Sequence, residues 1–293
     1  MASLRDIRRR IRSITSTAQV TRAMQMVAAS KMRKAQQATL TSRPFMQLLY
    51  RIQRRATTHA RDFTHPLLDV RTVRKRAVIL FGTDKGLCGG LNSNLFRVAA
   101  QFDPATTLFI TAGKRAAQFI ARSGRQLVAE FTFTDSPQFD EARPIAAFAR
   151  DLFVKREVDQ VQLVATRFIN TLMQEAGVLE FLPIGEIKAA RALRVPGVES
   201  EQELAADTTE VVFEPNPESV LGYLFGHYLN IYTYGVMLEA KASEQSARMV
   251  AMKNATDNAT GLITELTLGY NHQRQGNITQ ELLEIAGGEQ GGD

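Results

Sequence analysis

SEQSARMVAMKNATDNATGLITELTLGYN (243–271) decides how the rest of the chain reads. It holds no proline, and Gln245, Met249, Met252, Thr256, Ala259, Ile263, Leu266 and Tyr270 recur at alternating steps of four and three. That spacing is one stripe of an α-helix, and its seven-residue repeat favours a left-handed supercoiled pair over a straight one. The stripe reaches back through Ala242 to Leu238, and Ile278, Leu282 and Ile285 carry the apolar face forward. Asn216 is a good N-cap with Pro217 at the first helical position, so one helix is expected over 216–286. At ~1.5 Å per residue it is roughly 100 Å long. A single globular domain is much smaller, so this helix needs a companion along most of its length.

The companion is at the other end of the chain. Residues 1–61 read as a helix, with Ile7, Ile11, Ile14, Ala18, Thr21, Gln25, Ala28, Met32, Ala35 and Thr39 at the same four-three steps. Pro44 is a possible break. Both stripes are small and polar over much of their length, which allows close approach of two backbones but weak apolar packing. An antiparallel pair of terminal helices is the expected arrangement, with 287–293 a frayed tail.

Between the helices the period changes. After a linker over 62–76, AVILFGT (77–83), TLFITAG (107–113), QLVAEFTF (126–133), VQLVATRFI (161–169) and GVLEFLPIG (177–185) read as strands, and VVFEP (211–215) as a last extended piece. Helical patterns alternate with the first strands, and Gly124 ends KRAAQFIARSG (114–124). The fold class is therefore α/β: a Rossmann-like domain with a largely parallel sheet over 77–215, inserted into an antiparallel coiled coil. The apolar signal fades over 186–209, where a loop is expected.

Charge is distributed unevenly. Residues 1–76 hold 18 Lys/Arg against 3 Asp/Glu, a balance of +15, which leaves −9 for the remainder of a chain whose net charge is +6. Such a segment seeks an acidic partner. Nucleic acid is disfavoured because no aromatic residues interleave with the basic ones in RAMQMVAASKMRKAQQ (22–37) and no recognisable module is present. An amphipathic membrane-surface helix is disfavoured because Ala and Thr occupy the stripe. The basic start carries Asp6 and helical spacing, so it reads as part of the helix rather than a transit peptide, and no stretch is apolar enough to span a bilayer. One cysteine, Cys88, excludes an internal disulfide.

The motif with the strongest chemical suggestion is GTDKGLCGGLN (82–92), placed between a strand and a helix where phosphate loops occur. It is neither a Walker A nor a GxGxxG fingerprint. A tight strand-to-helix turn is the preferred reading, with a nucleotide-binding α/β enzyme using this loop as the alternative. Cys88 reads as a small buried residue. The four histidines lack metal-ligand spacing, and no nucleophile–base pair stands out, so no catalytic residue, cofactor or metal is expected.

VTRAMQMVAASKMRK (20–34), TDKGLCGGLNSNLF (83–96), RFINT (167–171), SEQSARMVAMKNATDNA (243–259) and YNHQRQGNITQELLEI (270–285) together closely resemble the gamma subunits of F-type ATP synthases. The resemblance implies a non-catalytic central-stalk rotor. Its paired helices would enter the alpha-beta hexamer, and its α/β domain would stand toward the membrane with the epsilon subunit and the c-subunit ring. It would lie peripherally on the cytoplasmic face of a bacterial inner membrane. Position by position, the resemblance implies contact with the hexamer at Met24, Lys31, Arg33, Lys34, Arg248, Arg274, Gln275, Ile278, Thr279 and Glu281, and a foot near the membrane ring at Phe213 and Glu214. Nothing resembles the cysteine-bearing insertion of the chloroplast form, so redox control is not expected.

Overall fold

The computed structural model describes residues 3–59, 65–184 and 217–288. The chain begins with α1 (Leu4–His59) and ends with the long helix α5 (Pro217–Gly288), with all strands between them. Pro44 lies within α1, which continues to His59. A proline removes one backbone bond and crowds the preceding turn, and here the helix resumes beyond it. The loop expected over 186–209, the strand expected over 211–215, Asn216, Phe213 and Glu214 lie outside the described residues. The chain divides into two compact units, residues 29–247 and residues 1–28 with 248–293.

The larger unit holds β1 (Arg76–Phe81), α2 (Leu91–Ala100), β2 (Thr107–Ala112), α3 (Lys114–Arg122), β3 (Gln126–Phe131), α4 (Phe139–Val154), β4 (Gln160–Phe168) and β5 (Gln174–Leu182). The sheet order is β3-β2-β1-β4-β5. β1 pairs in parallel with both β2 and β4, β2 is parallel to β3, and β5 closes the edge antiparallel to β4. The run Ala77–Phe81 is apolar throughout because β1 is central and covered on both faces. On one face Ala77, Ile79 and Phe81 pack with residues of α4 and α5, including Ile145, Phe153, Phe225 and Met237. On the other, Val78 and Leu80 pack with Leu95 of α2 and Ile120 of α3. Phe96 and Phe119 stack between α2 and α3 with centroids 4.4 Å apart. At α4 the Gln138 amide donates to Glu141 Oε2 at 2.7 Å, half of a reciprocal capping box.

In the smaller unit the four-three stripe of the sequence is the covered face. Ile7, Ile11, Ile14, Ala18, Thr21 and Gln25 are half-buried and Ala28 is buried, while their neighbours on the helix from Arg8 to Val27 are exposed. From α5, Met252 and Ala259 are buried and Thr256, Ile263, Leu266 and Tyr270 half-buried. The two helices touch through polar as well as apolar groups. The Thr21 and Thr256 hydroxyls lie 2.7 Å apart, and Arg8 donates to the Tyr270 hydroxyl with its guanidinium over that ring. Ala28 is 1% exposed, so Ala28→Leu is expected to destabilise the chain by about 1–3 kcal/mol through overpacking. Denaturant unfolding followed by circular dichroism measures it, and an unchanged midpoint would mean that the site has room.

Candidate functional site

The glycine-rich stretch forms the turn between β1 and α2, and its polar groups are turned on one another. Thr83 Oγ1 donates to the Lys85 carbonyl at 2.8 Å, and Asn92 Nδ2 donates to Thr83 Oγ1 at 2.8 Å and to Cys88 Sγ at 3.4 Å. Cys88 is buried. Asp84 Oδ1 accepts the Lys114 amide at 3.0 Å, so a carboxylate of the chain itself occupies the N-terminus of α3. At the carboxyl end of β4, where open α/β sheets bind ligands, side chains of α5 bond to the strand and the turn after it. Glu239 Oε1 accepts the Phe168 amide, and Ser243 and Ser246 donate to the carbonyls of Thr166 and Thr171. The tight-turn reading of 82–92 thus has a full local explanation. One feature of the turn escaped the sequence: Leu87 takes φ 61° and is 64% exposed, a conformation that disfavours any side chain with a Cβ.

The basic residues singled out on α1 have different surroundings. Arg33 and Lys34 are exposed, and Lys34 lines a shallow hollow of ≈ 480 Å³ with Gln37, Ala38, Thr41 and Tyr234. Lys31 is engaged inside the chain: its Nζ donates to Asp135 Oδ2 at 2.5 Å. Asp135 also lies 3.6 Å from Lys241, which bonds Glu244 at 3.0 Å and sits 4.9 Å from the centre of the Phe133 ring. Lys241 and Glu244 are buried. The hydrogen bond from Lys31 and the nearby Lys241 charge hold the Asp135 carboxyl below the usual carboxylate range, against a smaller upward push from burial. Lys241 and Glu244 belong to no sequence motif for a charge network. On a long helix, only the fold says which charged residues are covered.

At the far end of α5 the covering stops. Residues 274–283 are all exposed, including Ile278 at 47% and Leu282 at 61%. Arg274, Ile278 and Glu281 follow i, i+4, i+7 spacing and share one side of the helix, with Gln275 and Thr279 beside them. Thr279 Oγ1 donates back to the Gln275 carbonyl at 2.9 Å. Met24 is 41% exposed and Arg248 is half-buried.

Residues 3–291 match the family model described as ATP synthase. Gamma chains of ATP synthase from Opitutus terrae and Heliobacterium modesticaldum are 44% and 39% identical to this chain, with alignments spanning 98% of it and 97% and 98% of the relatives. This chain belongs to the ATP synthase gamma-chain family. The fold agrees with solved ATP synthase assemblies. A chain of the Euglena gracilis mitochondrial enzyme matches with TM-score 0.65 over 98% of this chain and 93% of its own, at 18% identity. One from the Tetrahymena thermophila central stalk and c-ring matches with TM-score 0.60 over 80% of this chain and 99% of its own, at 24% identity.

As a gamma chain, the protein is a component of an ATP synthase. Among the described residues no helix is long and apolar enough to cross a bilayer.

Proposed function

We propose that the chain acts as the drive shaft of the synthase. The smaller unit, with its paired helices, is turned within the alpha-beta hexamer by an ion-driven c-subunit ring, and it couples rotation to ATP synthesis or hydrolysis without performing chemistry itself. The epsilon subunit and the foot residues Phe213 and Glu214 complete the attachment at the ring. The working location is the cytoplasmic face of a bacterial inner membrane.

The observation that carries this reading is the wholly exposed end of α5 over 274–283, which continues directly from a face that α1 covers. A shaft must be stiff, and its contacts must break and reform on every turn. Long helices supply the stiffness. Exposed charged and polar groups such as Arg274, Gln275 and Glu281 supply contacts of about 0–1 kcal/mol per exposed ion pair. Arg33 and Lys34 are exposed for the same use, whereas Lys31 would have to share or exchange Asp135 to bind an acidic partner.

The test is Arg274→Glu in the assembled synthase in membrane vesicles. ATP-driven proton pumping is expected to fall severalfold relative to ATP hydrolysis, with the unfolding midpoint of the isolated chain unchanged. Pumping at the unsubstituted ratio would remove Arg274 from the contact.

A further inference from the structure

At Asp135 the basic part of α1 meets an acidic group of its own chain. The backbone there is fixed in the turn between β3 and α4, where Glu141 accepts the amides of Thr134 and Gln138 at 2.9 and 2.7 Å. The Asp135 carboxylate faces lysines from three separate segments. Lys31 donates to Oδ2 at 2.5 Å, Lys241 stands 3.6 Å from Oδ1, and Lys85 of the glycine-rich turn lies near enough for its charge to act there. All of these groups belong to the larger unit.

The lysines differ in freedom. Lys241 is buried, bonded to a buried Glu244, and its ammonium lies over the Phe133 ring. It is fixed. The Lys31 and Asp135 side chains are 37% and 45% exposed, so this pair stands at the rim of the cluster. A lysine ammonium rides on a flexible four-carbon stem, and a pair open to solvent holds it only weakly. Withdrawing Lys31 leaves Lys241 beside Asp135 and leaves the Lys241–Glu244 pair whole. No buried charge loses its partner when that one cation moves.

We infer that Lys31 is an exchangeable cation. In the chain by itself it rests on Asp135, and in the assembly it swings to a carboxylate side chain of the alpha-beta hexamer while Asp135 stays with Lys241. This rests on the reading of the chain as the shaft of that hexamer, and it adds how one shaft contact is regulated. Asp135 competes with the hexamer for Lys31, so it weakens the grip on the shaft. A contact surrendered as the shaft turns is taken back by Asp135. The neighbouring Arg33 and Lys34 are exposed, and Lys31 differs from them in having this internal alternative.

The experiment is a competition for a limiting amount of alpha-beta hexamer at low salt. Each variant chain is mixed with isotopically heavy unsubstituted chain until the incorporated ratio is constant, and mass spectrometry reads the ratio. Asp135 is largely solvent-facing, so Asp135→Asn is expected to fold, which denaturant unfolding at neutral pH checks. An exposed ion pair changes an equilibrium by about two- to fivefold. Asp135→Asn is therefore expected to be incorporated in excess by about that factor, and Lys31→Gln to be under-represented by about the same. Lys31→Gln/Asp135→Asn should do no better than Lys31→Gln, and raised salt should shrink every difference. The exchange is overturned if Asp135→Asn is incorporated no better than the unsubstituted chain, or if Lys31→Gln competes as well as it. An equal gain from Asp135→Asn with and without Lys31 also overturns it, because the lost charge then acts without the lysine. The shaft reading has its own signal: an unsubstituted chain that the hexamer does not retain defeats that reading, whereas equal ratios among retained chains defeat only the exchange.

Discussion

Lys241→Met is expected to destabilise the isolated chain by about 3–5 kcal/mol. The Lys241 side chain is 2% exposed, lies 3.0 Å from Glu244 and 3.6 Å from Asp135, and Glu244 itself is 4% exposed. Removing the lysine takes the positive charge from beside a buried carboxylate, and breaking a buried pair from one side costs far more than the pair was contributing. In a domain of this size the change lowers Tm by on the order of 10 °C. The double variant Lys241→Met/Glu244→Gln removes both charges and should recover most of the loss, because replacing a whole buried pair is often close to neutral. A double variant as unstable as the single one would mean that packing of the lysine stem, rather than the broken charge pair, sets the cost.

Acid should act on the same network. The Asp135 carboxyl is held low by Lys31 and Lys241. A carboxyl lowered on folding adds stability above its unfolded value, about 4, and that stability disappears as pH falls through the lower folded value. Unfolding midpoints measured below about pH 4 should therefore fall less steeply in Asp135→Asn than in the unsubstituted chain.

Gly113→Ala is the second large effect, expected at about 2–5 kcal/mol. Gly113 stands between β2 and α3 at φ 109°, and a Cβ there would lie 2.4 Å from the Gly82 carbonyl oxygen. That contact is with backbone that cannot rotate away. Two other glycines separate the causes. Gly82→Ala meets Ala116 Cβ at 2.7 Å without a positive φ, so its cost is steric. Gly124→Ala has φ 66° and open space, so its cost of about 1–2 kcal/mol is conformational. Denaturant unfolding of the three variants should place Gly113→Ala as the least stable. Equal costs at Gly113 and Gly124 would show that the loop yields to the added methyl.

These two cases mark how far the sequence could be read. Gly124 announced itself at the end of an apolar helical pattern, and it takes a positive φ there. Gly82 and Gly113 gave no such signal: they are required because two turns at the carboxyl end of the sheet approach each other, a contact between distant positions of the chain. The quartet of Lys31, Asp135, Lys241 and Glu244 was hidden for the same reason. Lys31, Asp135 and the Lys241–Glu244 pair come from three distant parts of the chain, and each residue by itself is an ordinary surface type.

The stretch 243–271 determined by itself that the chain ends in a long helix with a narrow, small-residue stripe. Period and proline placement are local properties, and they hold whatever the helix meets. The same local logic placed the strands, because a central parallel strand such as Ala77–Phe81 must be apolar on both faces. Only the tertiary structure decided that Lys241, Ser243, Glu244 and Ser246 belong to the buried part of α5 while 274–283 are left bare. Burial depends on which other elements arrive at a helix face, and one helical stripe looks the same in sequence whether it is covered by α1, by the sheet domain or by no part of the chain.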